Sequence, residues 1–237
     1  MEVIKSEKTA EIVGLSFGDG SLTKRQSGNR KGKLRFQLRG NITEDKEHYN
    51  NYIIPLFNEA IGVNIKPVTC NGKDKSYGIA TGNQKVCELL RELEIPVGIK
   101  GELYIPNWIT SNKEFAKCFV RGLMDTDGSV FCGKDYNYPE KGHIKIRMDI
   151  CSISRNLMEE VSNLLSSFGI KNLIIKQYTP KTQNRKCFSR IQIDGPNVLK
   201  YFDLIGSENP KHITKFEVWK RFGSCPPRTT LEQRYSM

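Results

Sequence analysis

This sequence is short of histidine and has no closely spaced cysteine pair. Its 237 residues contain three histidines, His48, His143 and His212, too far apart to suggest a His-built metal centre or triad. The seven cysteines (Cys70, Cys87, Cys118, Cys132, Cys151, Cys187 and Cys225) are an odd number, and they draw neither a C-x-x-C zinc pattern nor a disulfide framework. No apolar run approaches the ~20 residues of a membrane-spanning helix. The stretch Met1-Glu2-Val3-Ile4-Lys5-Ser6 lacks the apolar core of a secretory signal. The expectation is an intracellular protein of cytoplasm, nucleoid or organelle, with no membrane partner. Acidic residues are also in deficit, 26 against 37 lysines and arginines, for a net charge of +11. An excess of that size points to a polyanionic partner, most simply nucleic acid.

What the chain does have is a repeat. Ile12-Val13-Gly14-Leu15-Ser16-Phe17-Gly18-Asp19-Gly20-Ser21 returns as Val120-Arg121-Gly122-Leu123-Met124-Asp125-Thr126-Asp127-Gly128-Ser129, with Gly14 to Gly122 and Asp19 to Asp127 both 108 residues apart. The second copy reads as a helix. Ser111 and Glu114 form a candidate capping box, Phe115, Phe119, Val120, Leu123 and Met124 recur at helical spacing, and Gly128 is the expected left-handed cap after Asp127. The first copy starts near Ser6 or Thr9 and ends at Asp19 and Gly20 in the same way. Small residues recur every fourth position: Ala10, Gly14, Gly18, and Cys118, Gly122, Thr126. Gly14 and Gly122 are interior to their helices, where glycine costs about 1 kcal/mol. Close packing of two helix backbones would offset that cost and bring Asp19 and Asp127 side by side.

Each Asp-Gly-Ser is followed by a similar series. In Lys33–Arg39, Leu34, Phe36 and Leu38 alternate with Lys33, Arg35, Gln37 and Arg39. His143–Ile150 again sets apolar residues against a mostly basic face. Amphipathic helices are expected over residues 44–60, bent near Pro55, and 154–168. Strands are expected over 63–69, 76–80, 173–179 and 188–193, and closing helices over 84–93 and 198–204. The fold class is therefore α+β, a duplicated αββαββα unit with one antiparallel sheet per half. The halves are placed at residues 6–98 and 112–222, with a linker at 99–111 and a tail at 223–237. Two related strands dominated by Lys, Arg and Gln favour groove reading, since these side chains pair with guanine and adenine edges.

Two carboxylates at helix C-termini form a negative locus that attracts a hard divalent cation such as Mg²⁺. In a basic protein the natural substrate of such a site is a phosphodiester. Glycoside hydrolysis also uses paired carboxylates, but a basic surface has no role on a neutral sugar. Asp-Gly is by itself a common turn dipeptide. Its recurrence at equal spacing in a repeated unit is what favours chemistry.

Gly14-Leu15…Gly18-Asp19-Gly20-Ser21 and Arg121 to Ser129 resemble the two motifs of a single-chain LAGLIDADG homing endonuclease, and the repeat order resembles that family from about Ser6 to Phe222. The resemblance implies a pseudo-symmetric monomer. Its two sheets would form a saddle over the DNA major groove, with the motif helices between the halves. It implies cleavage of both strands across the minor groove at a long asymmetric site, leaving short 3′ overhangs, with intron homing or a free-standing gene as the expected setting. The last acid of each motif would bind catalytic metal, Mg²⁺ or Mn²⁺, with Ca²⁺ binding without supporting cleavage. By position these acids are Asp19 and Asp127, with the carbonyls of Gly18 and Thr126 as further ligands. A basic residue near the scissile phosphates would be Lys100 in one half and either Lys211 or His212 in the other. The first motif departs from the family pattern at Phe17, where the second has Asp125, expected to cap or pair locally.

Expected DNA contacts are Lys33, Arg35, Gln37, Arg39, Lys66, Lys75 and Tyr77, then Lys145, Arg147, Lys176, Gln177, Arg190 and Gln192. The loops carrying Lys24, Arg25, Arg30 and Lys31, and Lys181, Arg185 and Lys186, are expected to meet phosphates. Matched strands display different side chains, so a palindromic target is not expected. Two alternatives use the same fold: an intron RNA maturase, and a DNA-binding regulator that does not cleave. Retention of both acids favours the nuclease.

Overall fold

The computed structural model describes residues 4–70, 75–135, 142–178 and 188–237. The chain divides into two compact units, one of Met1–Lys100 with Pro106–Thr126 and one of Gly101–Ile105 with Asp127–Met237. The expected contacts Lys181, Arg185 and Lys186 lie outside the described residues.

The first unit is built around α1 (Glu7–Phe17). Ala10 to Phe17 is apolar on nearly every side, and every residue from Thr9 onward is buried. A helix that is apolar all round must be enclosed by its neighbours. Its start is fixed reciprocally: Ser6 N–H donates to Thr9 Oγ1 at 2.8 Å and Thr9 N–H to Ser6 Oγ at 3.3 Å. The strands β1 (Gly20–Lys24), β2 (Leu34–Asn41), β3 (Pro67–Cys70) and β4 (Ser76–Thr81) form an antiparallel sheet in the order β1-β2-β4-β3. Leu34, Phe36 and Leu38 face inward and are buried, with the Phe36 ring 5.7 Å from that of Phe57. Arg35, Gln37 and Arg39 take the other face, following the period of two.

The helix expected to bend near Pro55 does so through a π-helical turn. α2 (Lys46–His48) passes into the turn Tyr49–Ile53 and then α3 (Ile54–Ile61), and Ile54 N–H donates to the carbonyl of Tyr49, five residues back. Proline has no N–H to give the ladder and its ring crowds the preceding turn, which the wider turn accommodates. α4 (Gln84–Glu92), α5 (Asn107–Thr110) and α6 (Lys113–Asp127) follow.

In the second unit β5 (Gly128–Lys134), β6 (His143–Ser152), β7 (Leu173–Tyr178) and β8 (Phe188–Asp194) repeat the same antiparallel order, β5-β6-β8-β7. α7 (Arg155–Ser167) and α8 (Pro196–Leu204) complete the repeat. The segment Gly101–Ile105 is tied to α7, with Leu103 N–H on Ser154 Oγ at 2.8 Å and Ile105 N–H on Glu160 Oε2 at 2.7 Å.

Several expectations need correction. Asn112 Oδ1, accepting from the N–H groups of Glu114 and Phe115, caps α6, whereas the Ser111 hydroxyl donates back to Asn107 O within α5. Neither Gly20 nor Gly128 is a left-handed cap: each opens a strand, Gly20 opposite Leu38 and Gly128 opposite Ile150. Gly20 is needed for close approach, because a Cβ there would lie 2.5 Å from Ser16 Cα. α1 also stops at Phe17, two residues before its acid, whereas α6 runs through Asp127. The strand expected from residue 63 begins only at Pro67, since Asn58 holds Ile65 N–H at 2.6 Å in a turn.

Three helices were not expected, and the first is α5, which lies in the segment read as a linker. α9 (Pro210–Phe222) has Asn209 as N-cap, Pro210 in its first turn and Gly223 as left-handed C-cap at φ 70°. α10 (Leu231–Tyr235) lies in the segment read as a tail, and buries Arg234, whose Nε donates to Thr214 Oγ1 at 2.8 Å. Replacing the α9 cap, Asn209→Ala, should cost about 1 kcal/mol and lower the melting temperature by roughly 2–4 °C. Thermal denaturation followed by circular dichroism measures this.

Candidate active site and nucleic-acid interface

Within the first unit α1 and α6 cross backbone to backbone. A Cβ on Gly14 would stand 2.1 Å from Phe119 O, and one on Gly122 would stand 2.5 Å from Glu11 O. Glu11 and Phe119, like Gly14 and Gly122, are related by the repeat, so the contact is reciprocal. Just ahead of the two helices, Lys5 Nζ lies 5.6 Å from the centroid of the Trp108 ring, and at the crossing Phe17, a turn past Gly14, meets Phe119, a turn before Gly122, edge to face at 5.5 Å. The segments that lead into the two helices therefore lie close together. The interior glycines are explained: any side chain would force the helices apart.

The motif acids follow. Asp19 is exposed, one residue beyond the Gly18 C-cap of α1, and Asp127 is half-buried as the last residue of α6. Lys100 caps α1, donating to the carbonyl of Phe17 at 2.9 Å and closely to that of Gly18. Gly18 O, an expected metal ligand, thus already receives a cation. At the end of α6 the Thr126 hydroxyl donates to Gly122 O at 3.0 Å and Leu123 O at 3.1 Å. Burial, then the charges of Asp19 and Asp45, hold the Tyr49 phenol well above its ordinary value. Of the second-half candidates, His212 is 1% exposed and Lys211 half-buried in the first turn of α9, so Lys211 is the more accessible.

A buried polar network escaped the sequence reading. Glu11, 1% exposed, accepts from Arg121 Nε at 3.0 Å and Nη2 at 2.5 Å and from Tyr52 Oη at 2.9 Å. His48 stacks on Tyr52 at 5.8 Å, and its Nε2 lies 3.9 Å from Asp125 Oδ2. Asp125 therefore pairs across the unit, not locally. Lone charges inside apolar runs, Glu11 within α1 and Arg121 within α6, were the available signal. Burial raises the Glu11 carboxyl above its ordinary 4.5, and Arg121 and Tyr52 oppose the rise.

On the outer face of the first sheet stand Arg35, Gln37 and Arg39, with Lys33, Lys24, Arg30, Lys31, Lys66 and Lys75 exposed around it and Arg25 half-buried. Tyr77 does not belong there. It is 7% exposed on the helix-covered face and donates to Asn50 Oδ1 at 2.6 Å. The alternation explains the error: Tyr77 lies opposite Gly40, in phase with buried Leu38. In the second sheet Lys145, Arg147, Arg190 and Gln192 lie on the matching face, and Lys176 and Gln177 lie in β7. Here acids intervene. Lys145 pairs with Asp135 at 3.0 Å, Arg147 with Asp194 at 3.1 Å and Arg190 with Asp149 at 3.2 Å.

A family model described as LAGLIDADG-like domain matches residues 114–206, from the first turn of α6 to just past α8. Among solved structures, I-DmoI in complex with DNA and Ca is 17% identical with a TM-score of 0.61, covering 90% of this chain and 97% of that one. I-LtrWI bound to target DNA is 10% identical with a TM-score of 0.57, covering 92% and 89%. The chain has the LAGLIDADG homing-endonuclease fold. The helices that carry the two repeated motifs are α1 and α6. The uncharacterized protein MJ0314 of Methanocaldococcus jannaschii is 25% identical over 166 residues, which are 70% of this chain. The match spans little more than half, 56%, of that relative's length. No helix among the described residues is long and apolar enough to cross a membrane.

Two outcomes follow from the crossing. Gly122→Ala should cost roughly 1–3 kcal/mol through overpacking, and Gly14→Ala more. Gly101→Ala, with open space at its Cβ, is the control, and urea denaturation ranks the three. Arg121→Met should cost about 3–5 kcal/mol near neutral pH, because it strands a buried carboxylate. A raised carboxyl contributes stability below its unfolded pKa and loses it as pH rises through the folded one. The Arg121→Met deficit should therefore shrink as pH falls from 7 toward the ordinary glutamate value, and denaturation midpoints across pH test the sign.

Proposed function

We propose that the protein is a metal-dependent, site-specific DNA endonuclease in which Asp19 and Asp127 are the paired catalytic acids. The reciprocal crossing of α1 and α6 carries this reading, because the two helices clamped there each lead to one of these acids. The donor set of Asp19, Asp127 and the carbonyls of Gly18 and Thr126 is all oxygen, which suits Mg²⁺ or Mn²⁺ and also Ca²⁺ without cleavage. The Lys100 ammonium on Phe17 and Gly18 supports the fit, since it marks the end of α1 as cation-seeking. Such an ion would lower the pKa of a water nucleophile and neutralise charge on the leaving oxygen. Lys100 and Lys211 would stand near the scissile phosphates and hold charge there.

By family resemblance, the repeats at 6–98 and 112–222, joined by 99–111, would act together within one chain as a pseudo-symmetric monomer, each sheet offering its outer face to DNA. The strand registers favour a non-palindromic site. Leu38 and Ile79 in the first sheet correspond to Ile150 and Ile191 in the second, each opposite the other and in line with Gly20 or Gly128. Gln37 thereby matches Asp149, Arg39 matches Cys151 and Gly78 matches Arg190. By family resemblance, the cut would leave 3′ overhangs.

The test is cleavage of a randomised plasmid library with Mg²⁺, followed by sequencing of the cut ends. Asp19→Asn and Asp127→Asn should each bind the selected duplex and cut it at least ~100-fold more slowly, and EDTA should stop the wild type. Undiminished cutting by the double variant would sink the mechanism. An RNA maturase or a non-cleaving regulator would tolerate both substitutions without loss of its own binding.

A further inference from the structure

The two outer sheet faces differ in charge logic, a difference that the summed charge of the chain conceals. Strands β1 to β4 contain no aspartate or glutamate, and among the described residues Lys33, Arg35 and Arg39 have no carboxylate within ion-pair distance. In the second sheet acids are interleaved with the cations. Arg147 lies directly across from Asp194 in the ladder, and Arg190 reaches diagonally to Asp149. Gln192 Nε2 also donates to Asp194 Oδ2 at 2.6 Å, which holds that carboxylate from a second side. The register makes the contrast positional: where the first sheet has Gln37 opposite Ala80, the second has Asp149 opposite Gln192.

A free cation is attracted to any phosphate, so it adds affinity without regard to sequence. A guanidinium held by a carboxylate offers a phosphate much less charge. Its remaining N–H groups are kept in a fixed orientation and are rewarded mainly by acceptors placed to match them. The carboxylate accepts only, so it suits an amino group and repels N7, O6 and O4. One G·C pair presents both halves of that pattern in the major groove: acceptors on guanine for the arginine and the N4 amine of cytosine for the aspartate.

We propose that Asp149 and Asp194 are specificity-determining residues. Arg147 and Asp194 form a charge-compensated reader for a G·C pair, and Asp149, with only 12% of its side chain accessible, holds Arg190 in orientation for guanine in the same half-site, while the acid-free first sheet supplies sequence-tolerant affinity. This rests on the DNA-endonuclease reading above and adds to it which sheet discriminates. Asp194 is about half exposed, with 52% of its side chain accessible, so Asp194→Asn leaves packing undisturbed. It serves as the second variant should Asp149→Asn fail to fold.

The experiment measures binding of the full chain to two probes, a mixed-sequence duplex pool and a duplex selected from a randomised library, across a series of KCl concentrations. The wild-type selection should show G·C enrichment confined to one half-site. Asp194→Asn should bind the mixed pool several-fold more tightly and lose preference for the selected duplex by about tenfold, with a salt slope steeper by up to about 0.9 per freed cation. Arg35→Ala should weaken both probes alike. Equal weakening of both probes by Asp194→Asn, or no G·C bias in either half-site, would overturn the division of labour while leaving a working nuclease. A wild type that binds neither probe and cuts no plasmid would remove the endonuclease reading itself, and this proposal with it.

Discussion

Two helices that touch through peptide groups impose the constraint on which the first unit depends. Side chains can re-pack around a modest change, but a carbonyl oxygen 2.1 Å from a would-be Cβ cannot yield without moving a helix axis. The glycines at positions 14 and 122 thus fix the separation of α1 and α6. Burial of nearly all of α1 then leaves it little freedom to slide or rotate. The direction in which each helix delivers its terminal acid follows from this crossing, and fine positioning of loops matters less.

Symmetry at the crossing is confined to backbone and apolar surface. Each charged side chain that the motif helices give to the buried network has an apolar counterpart in the other repeat: Glu11 matches Phe119, Arg121 matches Val13, and Asp125 matches Phe17. Two like copies would bring glutamate against glutamate or arginine against arginine near the axis, an arrangement that burial makes costly. Assigning the acid to one helix and the base to the other permits a bidentate pair. It also makes the two helices non-interchangeable, which a duplicated chain needs in order to choose one register over its mirror assignment.

The alternating strands, the helix order and the meaning of Gly14 and Gly122 were legible in the sequence because each rests on a local period or on a residue with one dominant physical use. Asn112 in place of Ser111 as the cap, and the late start of β3, turn on which of several eligible polar groups wins a local competition, and neighbouring residues decide that. Tyr77 was misplaced because an aromatic next to a basic loop suits either face until the ladder fixes its phase. The ion pairs Arg147–Asp194 and Arg190–Asp149 join strands 47 and 41 residues apart, and no spacing rule reaches that far. Asp149 stood in plain view as the one acid in a basic run, but its partner could be found only through the register.

The repeated helices also end differently. α6 runs directly into β5, with the Thr126 hydroxyl folded back onto its own carbonyls and Asp127 as its last residue. α1 stops short, a two-residue turn follows, and its final carbonyls are satisfied by Lys100, an ammonium brought from more than 80 residues away. A helix C-terminus carries partial negative charge, and each solution offsets it by different means. One uses a neutral hydroxyl and the other a full cation. Asp19 is accordingly an exposed acid one residue past a lysine-capped end, while Asp127 is the half-buried last residue of its helix. Two carboxylates that the repeat makes formally equivalent therefore differ in exposure and in the capping of the helix ends that precede them, so the asymmetry of the chain begins at the motif ends and continues outward into the sheets.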